Sequence, residues 1–128
     1  MNIGIPSEIK NQEHRVSMIP GSVGDLVRRG HQVFVQKGAG EGSSYPDQQY
    51  IDNGATILET AQDIFDVAEL IVKVKEPQPS EVAMLTEKHT LFTYLHLAAD
   101  ENLTDSLTAT GCTAIAYETI EVNGRLPL

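Results

Sequence analysis

Leu70-Ile71-Val72-Lys73-Val74-Lys75-Glu76-Pro77, LIVKVKEP, decides the reading of the fold. It is a β-branched run from Leu70 to Val74 with no polar break except Lys73, stopped by Glu76-Pro77. Near-continuous apolar runs of this kind suit strands buried on both sides, as in parallel sheets covered by helices. In a regular strand Lys73 and Lys75 share a side-chain direction, because alternation has period two. A buried strand makes it hard for both to be mere solvated charges.

Outward from this run, strand and helix signals alternate. Asn2 to Ile5 is a short apolar strand ending at Pro6. Pro20 to Arg29 reads as a helix, with Pro in its first turn, Val23, Leu26 and Val27 on one face and Gly30 as the stop. Gln32 to Gln36 is a strand followed by the glycine-rich GAGEGSS. Asp47 to Asp52 is a short helix, Ala55 to Leu58 a strand, and Ala61 to Phe65 a helical turn. After LIVKV, Pro79 to Leu85 is helical, Thr90 to Leu95 a strand, Asp100 to Thr108 a helix, and Thr113 to Tyr117 (TAIAY) a second strand buried on both sides. The pattern predicts an α/β fold, a mostly parallel sheet with helices on both faces. One domain covers residues 1–128. The apolar NGRLPL end reads as cut from a longer chain.

Composition narrows the function classes. Net charge is −9 and pI about 4.7, a surface that repels nucleic acid and anionic lipid. No apolar run approaches the roughly 20 residues of a membrane-spanning helix, and MNIGIPSEIK has no secretory pattern. The single cysteine, Cys112, excludes an internal disulfide and fits a reducing cytoplasm. It begins a strand and reads as an inert core thiol. The histidines, His14, His31, His89 and His96, show no metal-ligand spacing. No G-x-S-x-G elbow is present.

In parallel sheets, ligands gather at the carboxyl ends of strands. The polar residues there are Glu8 and Arg15 after the first strand, Lys75 and Glu76 after LIVKV, His96 after LFTYL, and Glu118 after TAIAY. A guanidinium matches a carboxylate with two parallel hydrogen bonds; the plain alternative pairs Arg15 with Glu13 or Glu8. Lys75 could polarise a carbonyl oxygen, or simply reach solvent. His96 could shuttle protons near neutral pH, or be a satisfied core histidine. The loop Gly38-x-Gly40-x-Gly42 is a poor dinucleotide fingerprint: Ser43 stands in the region where the last glycine belongs, and no helix starts closely after it. A tight turn is the better reading.

MNIGIPSEIKNQEHRVSMIP, VRRGHQVFVQKGAGEGS, LIVKVKEP, LFTYLHLAAD and TAIAYETI together resemble the front part of the alanine dehydrogenases. The resemblance runs through essentially the whole chain and is most specific at KVKEP and LHLAA. The related proton-translocating nicotinamide nucleotide transhydrogenases share the GIP…E…RV opening but lack a histidine at the position of His96. The resemblance implies a Rossmann-like substrate domain of an enzyme that interconverts L-alanine with pyruvate and ammonia. It implies that Arg15 holds the substrate carboxylate, Lys75 contacts the carbonyl, and His96 is the acid/base, with Lys75 and His96 catalytic. Glu13 and Glu118 stand in matching segments with no role assigned. Family members run well beyond this chain's length, with the NAD-binding domain after it. No residue here is therefore expected to bind NAD, and the chain alone is expected to be inactive. A homo-oligomer without nucleic acid or membrane partners is expected. The alternatives are a transhydrogenase segment and a non-catalytic carboxylate-binding or oligomerisation module.

Overall fold

Short apolar strands that run in the same direction need long return connections, and helices supply them here. The computed structural model describes residues 1–128. Its strands are β1 (Asn2–Ile5), β2 (Gln32–Gln36), β3 (Thr56–Leu58), β4 (Leu70–Val72), β5 (Thr90–Thr93) and β6 (Thr113–Ala116). They form one sheet in the order β3-β2-β1-β4-β5-β6, and every pairing is parallel. The chain winds outward from β1 to β3, then returns to β4 and winds outward on the other side. The winding reverses between β1 and β4. Such a switch point opens a crevice at the carboxyl ends of the strands.

Helices cover both faces, as the sequence predicts. On one face Val23 of α1 (Pro20–Arg28) and Tyr50 of α2 (Asp47–Asp52) pack with Ile3, Val33, Val35 and Val72. On the other, Ile64 and Phe65 of α3 (Ala61–Val67) and Leu107 of α5 (Glu101–Ala109) pack with Ile71 and Leu91. The four-residue α4 (Pro79–Val82) lies beside α5. Full burial of each such side chain contributes about 1.5–3 kcal/mol. Local signals set the helix starts: the Thr60 hydroxyl accepts from the Asp63 N–H, and Asp100 accepts from the Leu103 N–H. No helix is long and apolar enough to cross a membrane.

Several expectations change: β5 ends at Thr93 rather than Leu95, and α4 at Val82 rather than Leu85. The strand expected through Val74 ends at Val72: on the side of β1, the Ser17 and Glu8 side chains take over its backbone partners. TAIAY is not buried on both sides: Thr113, Ala114 and Ile115 are exposed. β6 is the last strand of the sheet, paired only with β5, so its apolar composition faces solvent. Cys112 is half-buried just before β6 rather than in the core. An apolar groove of about 310 Å³ also stays open beside Leu26, Leu70, Phe92 and Tyr117.

Gly4 sits in the central strand where α3 crosses it. A Cβ there would lie 2.7 Å from Ile64 Cγ2 and 2.8 Å from the Ala68 Cβ, so only glycine lets α3 approach. Gly4→Ala is expected to cost about 1–3 kcal/mol through overpacking. Urea unfolding measures it, and an unchanged midpoint would contradict the account.

Candidate functional site at the sheet switch point

The segment after β4 is fixed by side chains as well as by backbone. Val72 O accepts from Ser17 Oγ at 2.8 Å, and Lys73 N–H donates to Phe92 O at 3.1 Å. Lys73 O accepts from the Tyr117 hydroxyl at 3.1 Å, and Lys75 O from Thr93 Oγ1 at 2.9 Å. The Val74 and Lys75 N–H groups donate to the Glu8 carboxylate at 2.7 and 3.3 Å. Every backbone donor and acceptor from Val72 O to Lys75 O is satisfied; Val74 O accepts from Tyr94 N–H at 3.3 Å.

Beneath this segment lies a buried ion cluster. Lys73 Nζ donates to Glu8 at 3.2 Å and to Glu81 at 2.6 Å, and all three side chains are 1–2% exposed. Of the two lysines in the strand, Lys73 is thus the buried one. Its partners come from opposite sides of the switch point, Glu8 after β1 and Glu81 in α4. One ammonium faces two carboxylates, and backbone N–H groups share the excess negative charge: Val74 and Lys75 on Glu8, Gln78 on Glu81 at 2.8 Å.

Arg15 lies in the loop between β1 and α1, with its side chain 61% exposed. Its Nε and Nη2 donate to the two Glu13 carboxylate oxygens at 2.8 and 2.7 Å. The plain alternative, a pair with Glu13, is therefore present. It occupies one edge of the fork and leaves the Nη1–Nη2 edge free. The Arg15 hydrogen bonds outweigh burial and bring the Glu13 carboxyl from 4.5 down to about 2. The glycine loop supports this segment from behind. A Cβ on Gly42 would lie 2.4 Å from His14 O, and one on Gly40 2.5 Å from Tyr45 O. These glycines are used up by chain packing, and the loop follows β2 rather than β1. Packed in this way they do not fit a dinucleotide pyrophosphate.

Lys75 is half-buried, and its ammonium makes no ion pair or hydrogen bond; its charge helps to depress Glu13. His96 follows β5 and is not the core histidine. That is His89, buried, with Nδ1 accepting from Thr86 N–H and Nε2 against Phe65 O. The His96 side chain is 47% exposed. Its backbone is left-handed, φ 51° and ψ 34°, a costly state for a non-glycine residue. One oxygen of Glu118 holds it there, accepting the N–H groups of Leu95 and His96 at 3.0 and 2.8 Å. Burial opposes ionisation of Glu118, but the backbone N–H groups prevail and keep its carboxyl below the usual value. The imidazole lies against Tyr94, centroids 6.0 Å apart and planes at 19°, and its Nδ1 is 3.3 Å from Glu76.

Arg15, Lys75 and His96 thus sit at the same edge of the sheet, after β1, β4 and β5. They do not line one cavity. An open cleft of about 450 Å³ brings Arg15 together with Lys73, Tyr94 and Tyr117, while His96 and Glu118 border a separate space of about 340 Å³. No group of three or more His, Cys, Asp or Glu side chains converges as a metal site would require. Sequence reasoning placed Glu8 and Glu118 at strand ends but missed what they hold. It missed Glu81 altogether. Backbone N–H acceptors leave no residue pattern, and the Lys73–Glu81 pair spans eight positions without helical spacing.

Known proteins align with this geometry. A family model described as "Alanine dehydrogenase/PNT, N-terminal domain" matches residues 4–128. The alanine dehydrogenase of Mycolicibacterium smegmatis is 51% identical over 100% of this chain and 35% of its own. That of Bacillus subtilis is 47% identical, over 34% of its length. The chain therefore spans about a third of the length of the curated relatives it matches. A solved L-alanine dehydrogenase superposes over 98% of this chain and 34% of its own with TM-score 0.94 and 50% identity. A transhydrogenase from Sinorhizobium meliloti superposes over 94% of this chain and 36% of its own with TM-score 0.88 and 30% identity.

Lys73→Met tests the buried cluster. It leaves two carboxylates buried without their cation, which is expected to cost about 3–5 kcal/mol. Denaturant unfolding at neutral pH reads the loss; a change under about 1 kcal/mol would show that the cluster is not what holds the edge.

Proposed function

The chain belongs to the alanine dehydrogenase/PNT N-terminal domain family, and from that premise we propose that it is the substrate-binding part of an NAD-dependent L-alanine dehydrogenase. Its substrates in this reading are L-alanine, or pyruvate and ammonia. The supporting observation is that a guanidinium with a free edge, an unpaired ammonium and a half-exposed imidazole lie along one edge of the sheet, after β1, β4 and β5.

Reductive amination asks these residues for three things. Arg15 holds the pyruvate carboxylate through its free edge, which fixes orientation as well as charge. Lys75 stabilises the carbonyl oxygen as ammonia adds to the carbon and negative charge develops. His96 gives a proton to the hydroxyl of the resulting carbinolamine, so that water leaves and an iminium remains; imidazole suits this because it titrates near neutrality. The hydride donor belongs outside these residues. A cytoplasmic homo-oligomer is part of the same reading, supported by the open apolar groove and the exposed strand β6. The transhydrogenase reading rests on 30% identity, against 50% for the L-alanine dehydrogenase, and the non-catalytic module leaves the unpaired Lys75 ammonium unexplained.

Steady-state kinetics of substitutions in the complete enzyme test the assignment. Arg15→Ala is expected to raise KM for pyruvate most, and Arg15→Lys to rescue it only partly, since a point charge lacks the fork. His96→Ala is expected to lower kcat by roughly 10²–10⁴-fold with a smaller KM effect. Lys75→Ala is expected to damage both. Near-normal kcat in His96→Ala with an unchanged pH profile would remove the histidine from the mechanism.

A further inference from the structure

Two carboxylates hold His96, and they act on different parts of it. Glu118 takes its backbone N–H; Glu76 takes its ring. Glu76 Oε2 lies 3.3 Å from His96 Nδ1, while the other Glu76 oxygen is bound by the Lys10 ammonium. The Glu76 side chain is only 14% exposed, so the carboxylate is anchored on one side and aimed on the other. Tyr94 stacks on the ring, and His96 Nε2 makes no hydrogen bond.

We infer that Glu76, anchored by Lys10, is a positioning residue that fixes the tautomer of His96, keeping the proton on Nδ1 and leaving Nε2 as the nitrogen that exchanges protons with substrate. An ionised carboxylate only accepts hydrogen bonds, so a neutral imidazole facing Glu76 through Nδ1 must carry its hydrogen there. The hydrogen bond at one ring nitrogen sets the state of the other. Burial of Glu76 opposes its ionisation, but the Lys10 hydrogen bond, its own N–H and His96 keep its carboxyl below the usual 4.5. It thus faces the ring as a carboxylate near neutral pH. The other groups facing His96 make no hydrogen bond to Nδ1: Tyr94 offers a ring face, and Glu118 binds backbone N–H groups through Oε1, while its buried Oε2 makes no hydrogen bond. The role of Glu76 in turnover rests on the acid/base reading of His96; the tautomer itself does not.

Nitrogen NMR of the labelled chain tests this, with His89 as internal reference. Its Nδ1 accepts from Thr86 N–H, so its hydrogen is on Nε2. His96 is expected to show the opposite state, hydrogen on Nδ1. Glu76→Ala is expected to abolish that preference, and Glu76→Gln, which keeps the shape and an acceptor oxygen, to weaken it. In the complete enzyme Glu76→Gln is expected to lower kcat on the order of 10²-fold or more, as tautomer errors in histidine catalysis do, with KM for pyruvate little changed. Hydrogen on Nε2 of His96 in the unaltered chain, or on Nδ1 in both variants, overturns the inference. Full activity in His96→Ala would instead overturn the acid/base reading and leave the tautomer result standing.

Discussion

The ammonium of Lys73, buried between Glu8 and Glu81, is the contact on which the carboxyl edge of the sheet depends. Three charged groups removed from water are costly unless each is matched. Here the ammonium serves two carboxylates, and backbone N–H groups take up the rest. The cluster joins the segment after β1, the segment after β4 and α4 into one unit. Because Glu8 also binds the N–H groups of Val74 and Lys75, the buried charge sets the path of the chain that carries the Lys75 side chain. Neighbouring side chains complete that constraint, from Ser17, Thr93 and Tyr117.

Around this fixed centre Arg15 and His96, the groups proposed to bind and react, are held by a second set of carboxylates. Glu13 takes one edge of Arg15, Glu76 faces the ring of His96, and Glu118 clamps its strained backbone. An acidic chain thus uses several acidic side chains for orientation, and a guanidinium edge and the Lys75 ammonium stay unpaired. Tyr94 bridges the two halves, lining the cleft with Arg15 and stacking on His96.

Much of this was legible in LIVKVKEP and its neighbours. Strand and helix alternation gave the parallel sheet, and the strand-end rule placed Arg15, Lys75 and His96, with Glu8, Glu76 and Glu118, at its carboxyl edge before any geometry was known. What failed did so for physical reasons. TAIAY looks like a buried strand because composition does not say whether a strand is central or at an edge. Lys73 and Lys75 share a parity in the sequence, yet regular strand pairing ends at Val72, and one is buried while the other is not. The glycine loop looked like a turn, and its actual use, admitting the Arg15 loop at Gly42, needs a contact between segments 28 positions apart. Glu81, Glu76 and Glu118 were invisible as functional supports because their partners are backbone groups or distant side chains.

The central claim is that the free edge of Arg15 and the Lys75 ammonium together receive one small oxo acid. A crystal structure of the complete protein with pyruvate bound tests it most directly. The account predicts the carboxylate on the Nη1–Nη2 edge of Arg15, in two hydrogen bonds of about 2.7–2.9 Å, with Glu13 still on the Nε–Nη2 edge and Lys75 Nζ at the carbonyl oxygen. Pyruvate bound elsewhere on the chain, with Arg15 still engaged only by Glu13, would contradict it.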